Sequence, residues 1–437
     1  MAKLRLNKGI FVTLSGVGIN LALGILYTWS IFKGAIKQSI QTGGPGAFQW
    51  DPASLNDPYA VCCIVFACMM ILAGRIQDKF GPRITAFIGG VLVGLGFIWT
   101  SQTTAYVSWV LGFGVLAGTG IAFGYSAATP AALKWFHPGL TGRVSGIVVA
   151  GFGLASVYIA PLAQYLLRTR GVQGTMLFFG IAFFLVVSIL SLFLKNPPEG
   201  HCPDKDFACR RTPQGNETRA NFPDVNAHPA DLIKTPFFWV LWSLYFIGAG
   251  AGLMVIGSLA GMAKASMGQN AFIAVAILAI GNAAGRIAAG MISDKIGRKR
   301  TLLAMFSLQA LLMFIAIPVT GSPSTNPLAL ILLATLIGFN YGANLALFPS
   351  FAKDLWGMKH FGVNYGVLFT AWGFGGLVMG RASESLLARS GSFAVSFIAA
   401  GLLLLLGTVI IVFMRDKKEE LRKEMRRSAQ AAQPVRA

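Results

Sequence analysis

Arg286 is the residue in this sequence best placed to do chemistry. It stands inside an apolar run, eight residues before Asp294, so about 12 Å along a helix from the polar loop that follows. A charged side chain that deep in an apolar span costs at least ~2.5–3.5 kcal/mol on insertion scales, which makes it a functional candidate by default. The interiors of the apolar runs contain no Asp or Glu, and Asp57 and Glu384 lie near their ends. A guanidinium is a rigid fork that matches a carboxylate bidentately and keeps its proton near neutral pH. The chemistry expected of Arg286 is therefore recognition of a small anion that arrives from outside the protein. The plainer alternative, an arginine held by backbone carbonyls for structure, stays open. Asn282, four residues earlier on the same helix face, is placed to orient the guanidinium or to bond the anion.

Aromatic and amide residues beside glycines supply the rest of a candidate pocket. They are Tyr27 with Asn20 behind it, Tyr125, Phe152, Tyr341 with Asn344 at i, i+3, and Phe369 with Trp372 at i, i+3. Each alone reads as helix packing more readily than as a ligand contact, since the chain has 33 Phe. Together they suggest a small cage whose ring faces shape a dry wall and whose hydroxyls hold a second oxygen.

These residues need elements to carry them, and composition says which. The chain has 437 residues, 55% hydrophobic and 12% charged, about half the charge of a soluble protein. Lipid is the implied solvent. The net charge of +20 would suggest nucleic-acid binding in a soluble protein, but the basic residues sit between apolar stretches, where membrane topology puts them. No nucleic-acid partner is expected. Cys62, Cys63 and Cys68 share one apolar segment, and Cys202 and Cys209, near His201, fit no standard zinc spacing. No metal or cofactor is expected.

A bilayer core needs about 20 apolar residues as helix, and twelve stretches qualify: 9–32, 58–74, 84–101, 107–133, 144–166, 174–194, 236–262, 270–291, 301–319, 327–350, 363–387 and 392–414. The start, Met1 to Lys8, is followed by a run long enough to span, so the first helix reads as retained and not as a cleaved leader. The fold class is an all-α integral membrane protein of two six-helix bundles, 1–194 and 236–414, joined by a polar linker, 195–235, with a basic tail, 415–437. Lys3, Arg5, Lys8, Arg75, Lys79, Arg83, Lys134, Arg143, Lys295, Arg298, Lys299, Arg300, Lys353 and Lys359 fall on one side. Lys33, Lys37, Arg168, Arg170, Lys264, Arg381 and Arg389 fall on the other. The excess places both termini and the linker in the cytoplasm of a multi-pass protein of the plasma (inner) membrane, and leaves the Asn216 sequon fortuitous.

The halves repeat. Gly74 to Gly81 and Gly290 to Gly297 both read Gly-x-x-x-Asp-Lys-x-Gly. Gly120 and Gly124 match Gly338 and Gly342, and Gly146 and Gly153 match Gly366 and Gly373, with an offset that drifts slowly, as duplicated halves with unequal loops would give. Phe152 is the repeat mate of Trp372. The loop, Gly-x-x-x-Asp-Lys-x-Gly followed by basic residues, resembles the signature of the major facilitator superfamily over nearly the whole chain. The resemblance implies two pseudo-symmetric bundles that rock about a central site, with Asp78, Arg83, Arg143, Asp294 and Arg298 as a cytoplasmic gate. A carboxylate at a helix N-terminus, paired with an Arg, makes a latch that must break for that mouth to open. The alternative is that both Asp merely balance local basic charge.

Gly24 to Ser30, Trp135-Phe136 and Asn364 to Gly373 resemble the oxalate:formate antiporter and monocarboxylate transporter branch. That resemblance implies that Arg286 binds the substrate carboxylate and that Tyr27, Tyr125 and Phe369 line the site. The chain departs from the branch twice. Trp372 stands where the oxalate transporter carries a Lys, which removes the charge for a second carboxylate and points to a monocarboxylate such as lactate, pyruvate or a short fatty acid. Asn282 stands where animal monocarboxylate transporters carry an Asp, so the proposed proton carrier is missing. His137, His201, His228 and His360 all fall in expected loops. The resemblance tilts toward proton symport with one monomer as the working unit; exchange of carboxylates is the alternative. A dinucleotide-binding enzyme is disfavoured, because Gly248 to Gly252 lies inside an apolar span with no preceding strand. A drug exporter usually carries a Gly-Pro pair where this chain has Ala160-Pro161. A non-transporting sensor is a further rival.

Overall fold

The computed structural model describes residues 8–44, 46–198, 227–268, 271–321 and 326–414. Lys3, Arg5, His201, Cys202, Cys209, the Asn216 sequon and the tail from Arg415 lie outside the described residues, as does the side chain of Lys264. Among the described residues the chain is helix and short connection, with eleven continuous stretches long and apolar enough to cross a membrane.

One of the eleven, Pro138–Ser191, is two helices. Gly171 breaks it with φ 66° and ψ −175°, a conformation that only glycine adopts without strain. The chain reverses there. Before the break, Gly142 and Arg143 meet Asp294; after it, the carbonyls of Leu192 and Lys195 accept from Arg83 and Trp135 on that same side of the molecule. Twelve crossings result: α1 Lys8–Thr42, α2 Asp57–Phe80, α3 Pro82–Ser101, α4 Tyr106–Leu133, α5 141–170, α6 172–191, α7 Pro236–Met267, α8 Ala271–Ile296, α9 Arg298–Gly321, α10 Pro327–Trp356, α11 Phe361–Ser390 and α12 Ala394–Phe413.

Several helices run past the boundaries expected from apolar length, α7 to Met267 and α10 to Trp356 among them. α1 continues ten residues beyond 32 because Ile36 keeps the buried period while Lys33 and Lys37 turn outward. α2 and α8 extend to Phe80 and Ile296, so Asp78 and Asp294 ride on last helical turns and not in loops. Gly81 and Gly297 then stop both helices with φ 85° and 97°. That positive φ is why the repeated motif ends in glycine.

The halves meet along two pairs of helices, α5 on α8 and α2 on α11. Glycines set the approach. A Cβ at Gly146 would strike the carbonyl of Arg286, and one at Gly366 the carbonyl of Met70. Gly142 likewise lies on Gly290, and Gly362 on Gly74. The two seams are repeat mates: 286 and 70 differ by 216, 366 and 146 by 220. Gly-stripe packing of this kind brings backbones together where lipid gives no hydrophobic drive.

Inside the C-terminal half, Gly285 of α8 packs directly on the Phe339 carbonyl of α10. Gly285→Val is expected to overpack that seam and cost about 1–3 kcal/mol. A lowered thermal unfolding midpoint in detergent would show it; an unchanged midpoint would contradict the packing described.

Candidate functional site

Arg286 is fully buried at the α5–α8 seam. Its Nε donates to Asn282 Oδ1 at 2.9 Å, one Nη to the Val149 carbonyl of α5 at 2.5 Å, and the other to the Tyr27 hydroxyl of α1 at 3.3 Å. Two partners are in the N-terminal half and one is in its own helix. All three are neutral, and among the described residues no Asp or Glu pairs with Arg286. Five N–H groups are available on a guanidinium, so these bonds leave donors and the whole positive charge for a ligand. The backbone carbonyl expected of a purely structural arginine is present, but it is only one of the three partners.

Local structure presents each partner. Gly24 lies against the Phe152 carbonyl and Ala155, and α1 tightens there into a 3₁₀ stretch, Gly24–Thr28, a geometry that often marks functional positions within helices. Tyr27 sits in that stretch. Its hydroxyl is 2.7 Å from the Tyr341 hydroxyl, which accepts from Trp372 Nε1 at 2.8 Å. Helices α1, α8, α10 and α11 are thus linked by a polar chain from Arg286 to Trp372.

Rings close the rest. Tyr27 meets Phe152 edge-on at 5.3 Å, Phe152 meets Tyr125 at 5.5 Å, Tyr125 meets Phe369 at 5.6 Å, and Phe369 stacks on Trp372 at 5.1 Å. Every aromatic residue named for the pocket, Tyr27, Tyr125, Phe152, Tyr341, Phe369 and Trp372, comes to this one place. Asn344 does not: its amide donates to Asn340 of its own helix and lies against Gly248. Phe66 was not foreseen. It touches Tyr125, Phe152, Phe369 and Trp372 within 5.0–6.1 Å, and nothing in the sequence separates it from the other phenylalanines.

A cavity of about 20 Å³ adjoins the site, lined by Tyr27, Ser30, Ser156 and Asn282 among others, room for about one water. Ser30 and Val275 also border a cleft of about 780 Å³ that opens on the side away from the signature motifs, with Gln38, Gln164 and Arg168 in its wall. Ser30 and Val275 are thus common to the walls of the small cavity and of the cleft.

The signature side is shut. Asp78 of α2 accepts from the N–H groups of Gly362 and Val363 at 3.1 and 3.2 Å, and Asp294 of α8 from those of Gly142 and Arg143 at 2.9 and 2.8 Å. Each carboxylate thus caps the N-terminus of the opposite half's helix, where unpaired N–H groups and the helix dipole favour an anion. The two latches are repeat mates. Their arginines are not: Arg298 pairs with Asp294 at 2.7 Å and with Asp354 at 3.0 Å, whereas Arg83 donates to the Leu192 carbonyl within its own half. Arg143 enters through its backbone N–H. Near Asp78 the cation is Lys134, whose ammonium burial holds below its ordinary range, partly offset by Asp78. Across the molecule, Asp57 accepts from Arg381 at 3.2 Å and from the Tyr106 hydroxyl at 2.8 Å. His137, His228 and His360 cap or precede helices on the signature side.

The family model for the Major Facilitator Superfamily matches residues 10–378 and again 264–436. The chain belongs to this superfamily. It is 25% identical over 418 residues to the oxalate:formate antiporter of Oxalobacter formigenes, covering 93% of this chain and 92% of that one. It is 27% identical over 374 residues to an uncharacterized MFS-type transporter of Escherichia coli (strain K12), covering 84% and 86%. Monocarboxylate transporter 13 of Bos taurus is 26% identical over 347 residues, covering 78% and 75%. Among solved structures, the transporter FucP in its outward conformation superposes with a TM-score of 0.66 at 12% identity, over 94% of this chain and all of that one, which shows the shared fold. The chain is therefore a multi-pass membrane transporter of the major facilitator fold and not an enzyme.

Separating α2 from α11 and α5 from α8 on the signature side would break the hydrogen bonds that Asp78 and Asp294 accept across the halves. Hydrogen bonds to charged groups contribute about 1.5–3 kcal/mol, so Asp294→Asn is expected to shift the equilibrium toward opening by about 10- to 150-fold. A cysteine at buried Ser145, in a background without the native cysteines, should then react several-fold faster with a maleimide applied from the signature side. An unchanged labelling rate would mean that Asp294 does not hold that side closed.

Proposed function

We propose that this transporter is a secondary carrier of small monocarboxylates, L-lactate and pyruvate among them, working by alternating access with the substrate carboxylate on Arg286. One observation carries the reading: a fully buried guanidinium at the seam between the halves, bonded only to neutral groups. A carboxylate arriving through the cleft would replace the Val149 carbonyl and the Tyr27 hydroxyl on the fork and neutralise the site. Asn282 positions the guanidinium. Tyr27, Tyr125, Tyr341, Phe152, Phe369 and Trp372 enclose the organic part of the substrate. Trp372 brings no second charge, which favours one carboxylate over two.

The orientation goes with this reading. The signature side, rich in Lys and Arg, faces the cytoplasm with both termini, in the plasma (inner) membrane. A single chain encloses the whole site, so the monomer is the working unit.

Proton symport is the first coupling reading. The site offers only tyrosine hydroxyls, so the proton would travel with the substrate or along Tyr27 and Tyr341. Carboxylate exchange is the second, and the neutral shell of Arg286 favours it: the empty site keeps an uncompensated charge, and the loaded site does not, so the loaded form reorients more readily.

Uptake of labelled L-lactate into proteoliposomes under an inside-alkaline gradient tests both. Accumulation in empty vesicles that collapses with a protonophore is the symport result; uptake confined to vesicles preloaded with carboxylate is the exchange result. Arg286→Gln should reduce either by at least about 100-fold, as expected where a buried charged partner is removed. Undiminished uptake by a correctly inserted Arg286→Gln protein would end the proposal.

A further inference from the structure

The cavity of about 20 Å³ beside Arg286 is walled in part by the groups that hold the guanidinium. Tyr27 accepts from one Nη and Asn282 from Nε, and a Cβ at Gly153 would stand 3.2 Å from both Nε and Asn282 Oδ1. Two serines complete the polar wall, Ser30 of α1 and Ser156 of α5. Each follows one of these neighbours of Arg286, Tyr27 or Gly153, by three residues, the spacing at which helical residues share a face. Ser156 is 1% exposed, and its hydroxyl has no hydrogen-bond partner. It does not turn back on its own helix as the hydroxyls of Thr13, Ser15, Thr119 and Ser350 do. Ser126, Ser145 and Ser188 also hold unpaired hydroxyls, but none of those three lines this cavity.

Buried polar groups in native proteins are almost always paired, so an unpaired hydroxyl in the wall of a cavity calls for a ligand atom. The space admits about one water-sized group. No charged side chain lines it, and the rest of the wall is glycine and aliphatic. A neutral oxygen suits such a place: a serine hydroxyl donates or accepts, and Asn282, with its Oδ1 given to Arg286, keeps its NH₂ donors for a ligand. A cation does not suit it, with a guanidinium next to it and no carboxylate in the wall. Through Ser30 and Val275 the cavity adjoins the large cleft at one end, and through Tyr27, Gly153 and Asn282 it adjoins Arg286 at the other.

We propose that Ser30 and Ser156 form the subsite for the 2-oxygen of the substrate, a 2-hydroxy or 2-oxo group, while its carboxylate is on Arg286. In such acids the carboxylate and the 2-oxygen are on adjacent carbons, so the groups that bind them must lie side by side, as the cavity and the guanidinium do. The subsite rests on the carboxylate reading of Arg286 and adds Ser30 and Ser156 to it as specificity-determining residues. It selects 2-oxygenated acids over plain aliphatic acids of the same size, because a methylene in that place leaves the Ser156 hydroxyl unpaired. A site built to bond a substrate oxygen rejects the analogue that lacks it.

The test compares L-lactate with propionate, the same acid without its 2-hydroxyl. Labelled acid is taken up by counterflow into proteoliposomes preloaded with unlabelled L-lactate, an assay that runs under either coupling. Wild type is set against Ser156→Ala, Ser30→Ala and the double variant. The quantity read is the ratio of L-lactate uptake to propionate uptake at low concentration, which does not depend on how much protein inserts. The wild type should favour L-lactate by at least about tenfold, and the double variant should lose about tenfold of that ratio while its propionate uptake is undiminished. Substitutions that only loosened the packing would lower both acids together and leave the ratio unchanged. A wild type that takes both acids equally, or neither, or a double variant whose ratio stays within about twofold of wild type, overturns the subsite. Failure of the underlying reading looks different: Arg286→Gln would then retain uptake of both acids.

Discussion

Arg286 sits where the two halves of the molecule touch, and every partner that holds it is neutral. The Val149 carbonyl and the Tyr27 hydroxyl belong to one half and the Asn282 amide to the other. A cation in that position is tolerable only because Gly146 and Gly153 bring α5 close enough to wrap it, and because the Tyr27–Tyr341–Trp372 chain fixes what lies beyond. Remove the glycines and the carbonyl cannot reach. Replace the arginine and the polar chain ends on nothing.

The α5–α8 seam has a repeat mate in α2–α11. The repeat mate of Arg286 is Met70, which meets Gly366 as Arg286 meets Gly146. One seam therefore holds a charge and the other a flexible apolar side chain, so duplicated architecture serves a single site. The latches keep the symmetry that the site gives up. Asp78 and Asp294 each close on the N–H groups of the opposite half, and separating the halves breaks both at once. On the other side a cleft leads toward Ser30 and Tyr27, so the state described has its central site enclosed and its signature side shut.

The sequence made the fold legible wherever physics leaves a one-dimensional trace. Apolar length marked the spans, the repeated Gly-x-x-x-Asp-Lys-x-Gly located the two latch carboxylates, and a charge inside an apolar run located Arg286. The glycine of the motif was readable as a pattern, although its cause, a positive φ at Gly81 and Gly297, was not. What stayed hidden depends on contacts between halves. Asp78 and Asp294 bond backbone N–H groups, which no residue type advertises, and so Arg83 looked like a partner although its guanidinium donates within its own half, while Arg298 pairs with Asp294 by its side chain and Arg143 by its backbone. Phe66 is an ordinary aromatic residue in an aromatic-rich chain until helices from both halves bring it against Phe369.

The most direct test of the account is an experimental structure with pyruvate bound. It should show both oxygens of the carboxylate on the Arg286 fork, with the Val149 carbonyl released from Nη and Asn282 still holding Nε. A carboxylate bound elsewhere in the cleft, with the bond from Arg286 to Val149 intact, would make Arg286 a structural clasp and contradict the account.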